Sequence, residues 1–395
     1  MKETNLVLIV ILTSILFLLY GVNSLSIRYE EAVTLFSGTS LVHYLVYYST
    51  KLFGQTDLAL RLPFIVLHVI SMVLLYKIGK LFLKRKIDRV ISVALYAMLP
   101  GVNSAAIVVN SAYVSIFLTL LFVYLYMYEY KKASFVVLFI ALFADNSFAI
   151  LYLSLFFYSI FHKEKQLLSI SLILFASSMY MYGFDTGGKP RGYFLDTLGV
   201  YATVFSLFLF LYIIYALYRI LIKEEKNLLW YISFCTLVIS LILSLRQKLP
   251  LEDFAPFVVI SLPLVVKVFF NSYRVRLPQH RKYHNIAFAV VFIFLSLNLI
   301  VSYFNKPLYL IMKEPSHHLA YKYHIAKDLA KILKEKGIKN ISMEDERLAL
   351  RLKFYNIKIG GKYKLSHTDF KINNYEKIDI KYYGKIVESF YLYKD

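Results

Sequence analysis

Two adjacent carboxylates, Glu30 and Glu31, are the residues of this sequence best suited to acid–base chemistry. They follow an apolar stretch. Placing an acid at the edge of a membrane costs free energy, so such an acid is expected to be solvated, to form an ion pair or to take part in function. A carboxylate beside apolar walls can have a raised pKa and serve as a general base. Adjacent residues do not share a helix face, so at most one should point into a given cavity. The alternatives are a solvated loop acid or an ion pair with Arg28.

Several cations are candidates for holding a phosphate group. Arg61, at the start of an apolar run, could bind a phosphate in a two-pronged fashion. Its structural alternatives are an ion pair with Asp57 or Glu31, or a side chain that reaches to the membrane surface. Lys189 and Arg191 lie in a glycine-rich stretch, residues 183–196, that is either a lid over an anionic headgroup or a plain polar connection.

Arg246 and Lys248 form a further cationic pair, in a short loop before an apolar run. They fall on the face of the membrane that otherwise carries few short basic loops, and cations at such an edge are natural phosphate ligands. His43, within an aromatic stretch, is a weaker candidate for a substrate cavity, because a lone histidine there is more often structural. The single cysteine, Cys235, excludes an internal disulfide, and no Cys/His metal spacing occurs.

The elements that must position these residues are membrane spans. Of the 395 residues, 59% are hydrophobic, more than the roughly 45–50% of soluble domains. Apolar runs of spanning length recur. We predict an all-α polytopic membrane bundle with about eleven transmembrane helices: 5–22, 62–83, 88–109, 111–129, 133–145, 147–161, 166–182, 197–221, 228–245, 254–270 and 286–304.

The distribution of basic residues predicts the orientation of the bundle. With a cytoplasmic N-terminus, every dense basic loop falls on the cytoplasmic side, as the positive-inside rule requires. The net charge of +20 is thereby explained, and a nucleic-acid partner is not expected. Residues 132–162 provide only about 15 residues for each of two crossings of the membrane. If they formed a single kinked span instead, the orientation of every later span would be reversed. The charge pattern favours two short spans around Asp145.

The C-terminal segment, residues 306–395, is predicted to form a second, smaller domain, and we call it the tail. We divide the chain into a transmembrane domain, residues 1–305 with a first outside loop at 23–61, and a small extracytoplasmic α/β domain, residues 306–395. Within the tail, helical spacing covers 318–336 and 345–355, and strands are predicted at 340–343, 377–383 and 386–393. No glycine-rich nucleotide loop occurs, so an energy-rich donor would have to be lipid-borne or recognised in another way.

The first outside loop resembles that of the GT-C superfamily of membrane glycosyltransferases, and most of all glycosyltransferase family 39, the dolichyl-phosphate-mannose protein mannosyltransferase and aminoarabinose transferase group. The resemblance rests on the order Glu30-Glu31-Ala32, His43-Tyr44-Leu45, Leu52-Phe53-Gly54 and Arg61-Leu62-Pro63. Leu99-Pro100, the run from Arg246 to Pro250 and the small tail agree with it.

The resemblance implies an integral enzyme of the plasma (inner) membrane that moves a sugar from a polyprenyl-phosphate carrier to an envelope acceptor, with inversion. Glu30 would be the base, and the outside cations would hold the leaving phosphate. Where relatives have Asp, His-Pro-Pro and a second acid near the outer end of the third span, this chain has Glu30, His43-Tyr44 and the pair Asn103 and Asn110. We expect both asparagines to line the substrate cavity together with His43. A divalent cation that depends on this second acid is therefore left open, and no other cofactor is implied.

Two other functions remain open at this point. A lipid-linked sugar transporter or flippase would predict inverted repeats and charges at the membrane midplane, whereas no repeat is found and the ionisable residues cluster at one face. A catalytically silent relative in envelope assembly is compatible with the two asparagines.

Overall fold

A computed structural model of the chain describes residues 2–183, 192–318, 320–367 and 375–394. Its helices and strands are, in chain order, α1 (Glu3–Ser24), α2 (Tyr29–Ser37), α3 (Leu41–Phe53), α4 (Asp57–Phe82), α5 (Lys86–Met98), α6 (Pro100–Ile107), α7 (Ala112–Met127), α8 (Lys131–Leu142), α9 (Phe148–His162), α10 (Lys165–Tyr182), α11 (Phe194–Phe205), α12 (Leu207–Lys223), α13 (Leu228–Ser244), α14 (Ala255–Val259), α15 (Leu262–Val275), α16 (Lys282–Tyr303), α17 (Leu308–Ile311), α18 (Ala326–Glu335), β1 (Asn340–Met343), α19 (Glu346–Phe354), β2 (Lys358–Ser366), β3 (Tyr375–Tyr382) and β4 (Lys385–Lys394).

The chain divides into two compact units. The first comprises Met1–Leu16, Phe64–Ala106 and Asn110–Leu299, and the second comprises Phe17–Pro63, Ile107–Val109 and Ile300–Asp395. The loop with the two acids thus shares a unit with the tail. The predicted division at residue 305 stays a prediction.

Candidate membrane spans are fewer than predicted. In the described ranges, four helical stretches are long and apolar enough to cross a bilayer: Glu3–Ser24, Asp57–Phe82, Ala255–Val275 and Pro278–Tyr303. Two bent pairs raise the number to six if each counts as one span. Three other apolar helices, α7, α9 and α13, are 15 to 17 residues long, or about 22–26 Å against a hydrocarbon core of about 30 Å. Eleven spans are therefore not confirmed.

Both bent pairs fall where a single straight span was predicted. Residues 88–109 break at Leu99, between α5 and α6, with a bend of 57°. Pro100 has no N–H, and the amide of Asn103 donates to the carbonyls of Ala97 and Leu99 at 2.8 Å each. The buried Asn103 side chain thus gives the carbonyl of Ala97 a hydrogen bond at the break and adds one to the carbonyl of Leu99, which also accepts from the backbone N–H of Asn103.

The second break separates α11 from α12 with a bend of 105°. Ser206, at the break, has φ +67°, the left-handed region that residues other than glycine rarely adopt. The two breaks approach each other closely, since a Cβ added to Gly101 would lie 3.1 Å from the carbonyl oxygen of Val204. Glycine at position 101 permits this contact.

Two helices, α8 and α9, occupy the doubtful segment 132–162. They pack as a hairpin, with the Tyr152 hydroxyl donating to the carbonyl of Leu138 at 2.9 Å. At 12 and 15 residues neither meets the length of a spanning helix, so the two short spans remain a prediction.

The C-terminal part of the second unit is α/β, as predicted. Its sheet has the order β1-β2-β4-β3, with β1 and β2 parallel and the other pairs antiparallel. Leu329, Leu333, Leu352 and Phe390 belong to the buried core beneath the helices. The helix predicted at 318–336 is shorter, because short 3₁₀ turns precede α18. Strand β2 was missed, since its two glycines and several lysines are poor strand formers.

Candidate functional site

Helix α2 places the two acids in its first turn. Arg28 is the N-cap residue, and Glu31 lies three positions later, where its Oε2 accepts from the backbone N–H of Arg28 at 2.8 Å. This hydrogen bond is one of the two that make up a capping box, and it gives the backbone N–H of the N-cap residue a partner. The local sequence therefore fixes where α2 begins and makes the two carboxylates face different surroundings.

Glu31 is a buried carboxylate whose two oxygens accept three hydrogen bonds. Its side chain is 1% exposed. Oε2 also accepts from Nη2 of Arg61 at 3.0 Å, and Oε1 accepts from the backbone N–H of Val109 at 2.9 Å. A carboxylate so enclosed has no free path to a substrate and is suited to positioning.

Arg61 is the counter-charge, and it is fully buried. Its Nη1 donates to the carbonyls of Val22 and Leu25, and its Nη2 donates to that of Ser26 at 3.0 Å. The guanidinium thereby holds residues 22–26 against the start of α4. Of the roles predicted for Arg61, this geometry supports the ion pair with Glu31, whereas donor phosphate binding stays a prediction.

Glu30 is the accessible acid of the pair. Its side chain is 58% exposed and contacts Arg28 through two guanidinium nitrogens, at 2.5 and 3.0 Å. Arg28 in turn donates to the hydroxyl of Tyr323 at 3.2 Å and lies over its ring. Burial, followed by the charge of the nearby Glu31, raises the pKa of Tyr323. Glu30 is thus oriented by one arginine but open to solvent.

Residues of the tail frame the acidic loop. The Tyr355 hydroxyl accepts from the backbone N–H of Ile27 at 2.9 Å and donates to Asp57 at 2.7 Å. Lys327 completes this cluster with an ion pair to Asp57 at 2.8 Å. Burial and then the charge of Asp57 raise the pKa of Tyr355, so its hydroxyl stays protonated and remains a donor.

A second set of tail contacts holds residues 26–27. Nε of Arg351 donates to the carbonyl of Ile27 at 2.8 Å, and Nη2 donates to that of His324 at 2.7 Å. Ser26 donates through its N–H to the carbonyl of Tyr323 at 2.7 Å. Burial lowers the pKa of Arg351. The loop before α2 is therefore held from both sides.

His43 lies on α3, in a groove of about 600 Å³ that Tyr47 and Lys51 also line. Its Nδ1 lies 2.8 Å from the carbonyl oxygen of Thr34, and its ring stacks on Tyr47 with centroids 5.6 Å apart. The backbone contact makes Nδ1 the protonated nitrogen. His43 is therefore held in place and presents its ring to the groove, and its predicted role in a substrate cavity stays a prediction.

The other predicted site residues belong to the first unit or lie outside the described ranges. Arg246 and Lys248 are exposed after α13. Asn103 is 1% exposed and closes the break before α6, whereas Oδ1 of Asn110 is buried with no hydrogen-bond partner in the described part of the chain. Lys189 and Arg191, in residues 184–191, are not among the described residues. Within those that are, no three His, Cys, Asp or Glu side chains are grouped closely enough to hold a metal ion.

Sequence reasoning missed a polar chain inside the first unit. Nε2 of His68 lies 2.8 Å from Ser14, and Nδ1 lies 2.8 Å from the hydroxyl of Tyr113, which itself lies 2.6 Å from that of Tyr96. All four side chains are buried. Polar groups that bond across helices stabilise membrane bundles, and the regular spacing of apolar residues around them gave no signal of this network.

Helices long and apolar enough to cross a bilayer indicate a membrane protein, and the comparison with known families points to the transferases. Residues 37–184 match the family model described as dolichyl-phosphate-mannose-protein mannosyltransferase. This match confirms, over those residues, the resemblance to glycosyltransferase family 39 of the GT-C superfamily. The matched range includes His43, Arg61 and both asparagines, and begins after the acidic pair. No curated protein matches the chain.

Proposed function

We propose that the protein is an integral glycosyltransferase of the plasma (inner) membrane that moves a sugar from a polyprenyl-phosphate carrier to an envelope acceptor, with inversion at the anomeric carbon. The family match supports glycosyl transfer in a membrane. The observation that carries the assignment of roles is the contrast between the two acids, one 58% and the other 1% exposed.

In the proposed reaction an acceptor hydroxyl attacks the anomeric carbon while Glu30 takes its proton. The bond from that carbon to the carrier phosphate breaks, and the electron pair leaves with the phosphate. Arg28 orients Glu30, and Glu31 holds the loop through Arg61. A single displacement of this kind inverts the configuration. A positioned general base contributes about 10²- to 10⁴-fold to such a rate.

The leaving phosphate gains charge in the transition state and needs cationic partners. Arg246 and Lys248 are proposed for this role because both are exposed and neither side chain pairs with another described residue. Lys189 and Arg191 are proposed on sequence grounds alone. The proposed orientation, with a cytoplasmic N-terminus and an extracytoplasmic C-terminal domain, follows from the positive-inside rule applied to the eleven predicted spans.

Glu30→Gln tests the proposal in proteoliposomes that contain a polyprenyl-phosphate sugar, together with the envelope glycans of cells that carry the variant. We expect transfer to fall by about 10²- to 10⁴-fold while the protein stays folded, because Glu30 is exposed. Glu335→Gln, which removes another exposed acid of the same unit, is the control. If Glu30→Gln transferred sugar at the rate of the parent protein, Glu30 could not be the general base.

A further inference from the structure

We propose that the second unit binds its acceptor as an anionic carbohydrate, in a groove that runs from α3 to the start of β2. That this carbohydrate is the acceptor of the reaction rests on the proposed transferase function. That the groove binds an anionic carbohydrate does not depend on it. The groove consists of two cavities, of about 600 and 250 Å³, that share Phe36 and Gln55 in their walls. We call the two together the basic groove.

The charge of the basic groove has one sign. Lys51 lies in the wall of the larger cavity, and Lys353 and Lys358 line the smaller one. All three are exposed, and none forms an ion pair with another described residue. No acidic side chain appears among the described residues that line either cavity. Unpaired cations that converge on one concave surface concentrate anions there.

Aromatic rings stand beside two of these ammonium groups. Lys51 lies over the ring of Tyr47 at 5.8 Å, and Lys353 lies over Phe36 at 4.6 Å. The edges of these rings offer a sugar apolar contact, and the ammonium group beside each ring offers a partner for its carboxylate or phosphate. Thr50, Gln55 and Asn356 add hydrogen-bonding groups for hydroxyls.

Helix α2 connects the basic groove to the proposed base. Glu30 lies in its first turn and Phe36 near its end, six residues later, which corresponds to about 9 Å along the axis. A glycan of a few sugar units that rests in the groove would reach Glu30 with one end. The groove therefore suits acceptor recognition away from the reacting atoms.

The test measures binding without any donor, so it is independent of catalysis. Full-length protein in phosphatidylcholine nanodiscs is titrated into fluorescently labelled hexagalacturonate, with maltohexaose as the uncharged probe of equal length. One variant reverses the groove charges (Lys51→Glu, Lys353→Glu and Lys358→Glu). The matched control reverses three exposed lysines of the same unit that do not line the groove (Lys322→Glu, Lys331→Glu and Lys334→Glu). Tyr47→Leu tests the aromatic contact separately.

We expect hexagalacturonate to bind at least about eightfold more tightly than maltohexaose, since each of the three exposed ion contacts changes a binding constant by about two- to fivefold. Salt should weaken this binding. Charge reversal should weaken it at least tenfold and Tyr47→Leu about threefold, with the control unchanged. Equal binding of the two probes, or equal loss in both triple variants, would overturn the proposal. So would displacement by glycerol 1-phosphate as strong as by trigalacturonate, which would assign the groove to a lipid headgroup.

Discussion

Replacing Glu31 by Gln would leave the buried guanidinium of Arg61 without its counter-charge. Breaking a buried ion pair on one side costs about 3–5 kcal/mol. Three carbonyls would still accept from Arg61, which favours the lower end. A second cost comes from hydrogen bonding. The parent Glu31 accepts three N–H groups through its two oxygens, whereas a glutamine has only one oxygen. At least one N–H group is then left unpaired, which costs about 1–3 kcal/mol. We expect a loss of about 4 kcal/mol in the free energy of unfolding.

The assay is equilibrium unfolding in mixed micelles as the fraction of denaturing detergent rises. Glu30→Gln, one residue away but exposed, is the matched control and should change the unfolding free energy by less than about 0.5 kcal/mol. The double variant Glu31→Leu with Arg61→Met removes both charges and should recover the part of the loss that comes from the uncompensated guanidinium, but not the part that comes from the unpaired N–H groups of Arg28 and Val109. Equal stability of the two glutamine variants would refute the assignment of Glu31 as the buried counter-ion.

Three further outcomes follow from single contacts. Gly101→Ala should lower the unfolding free energy by about 1–3 kcal/mol, because the methyl group meets the second bent pair. Tyr355→Phe should lower the unfolding free energy by about 1–3 kcal/mol, because Asp57 and the buried N–H of Ile27 would each lose one hydrogen bond. Burial, aided by nearby cations, lowers the pKa of His324 from 6.5 to about 3. The unfolded state therefore binds the extra proton, and stability should fall by about 2 kcal/mol between pH 7 and 5; His324→Asn should remove this slope, whereas exposed His317→Asn should keep it.

Each of these outcomes has a result that contradicts it. Gly79→Ala is the control for Gly101, since its added Cβ meets nothing nearer than 3.8 Å, and equal effects at the two positions would disprove the close approach. A Tyr355→Phe protein as stable as the parent would show that the hydroxyl is not needed. An unchanged pH slope in His324→Asn would assign the acid sensitivity to other groups.

The sequence carries the class of the protein and the position of the acids. Apolar runs predict a helical membrane protein, and Arg28 followed by Glu31 at capping-box spacing explains where α2 begins. The number of spans is harder to predict, because hydropathy does not register a bend. Pro100 signals the first break, but Ser206 adopts its left-handed backbone in a run that looks continuous.

The division of labour between the acids follows from tertiary structure. Sequence reasoning offered both an ion pair and phosphate binding for Arg61, and only the fold shows which groups surround it. The partners of the acidic loop, such as Arg351 and Tyr355, lie about 300 positions further along the chain. No local pattern connects residues so far apart, so these contacts could not be predicted from a single sequence.

The distance in sequence between the loop and the tail has a consequence for biosynthesis. Ser26, Ile27 and Asp57 are made early, and the groups that bond them follow about 300 positions later. At about 5–20 residues per second, the ribosome needs roughly 15–60 s to supply them. During that interval the loop lacks the hydrogen bonds and the ion pair that hold it, so it can reach its final arrangement only after the tail has been synthesised.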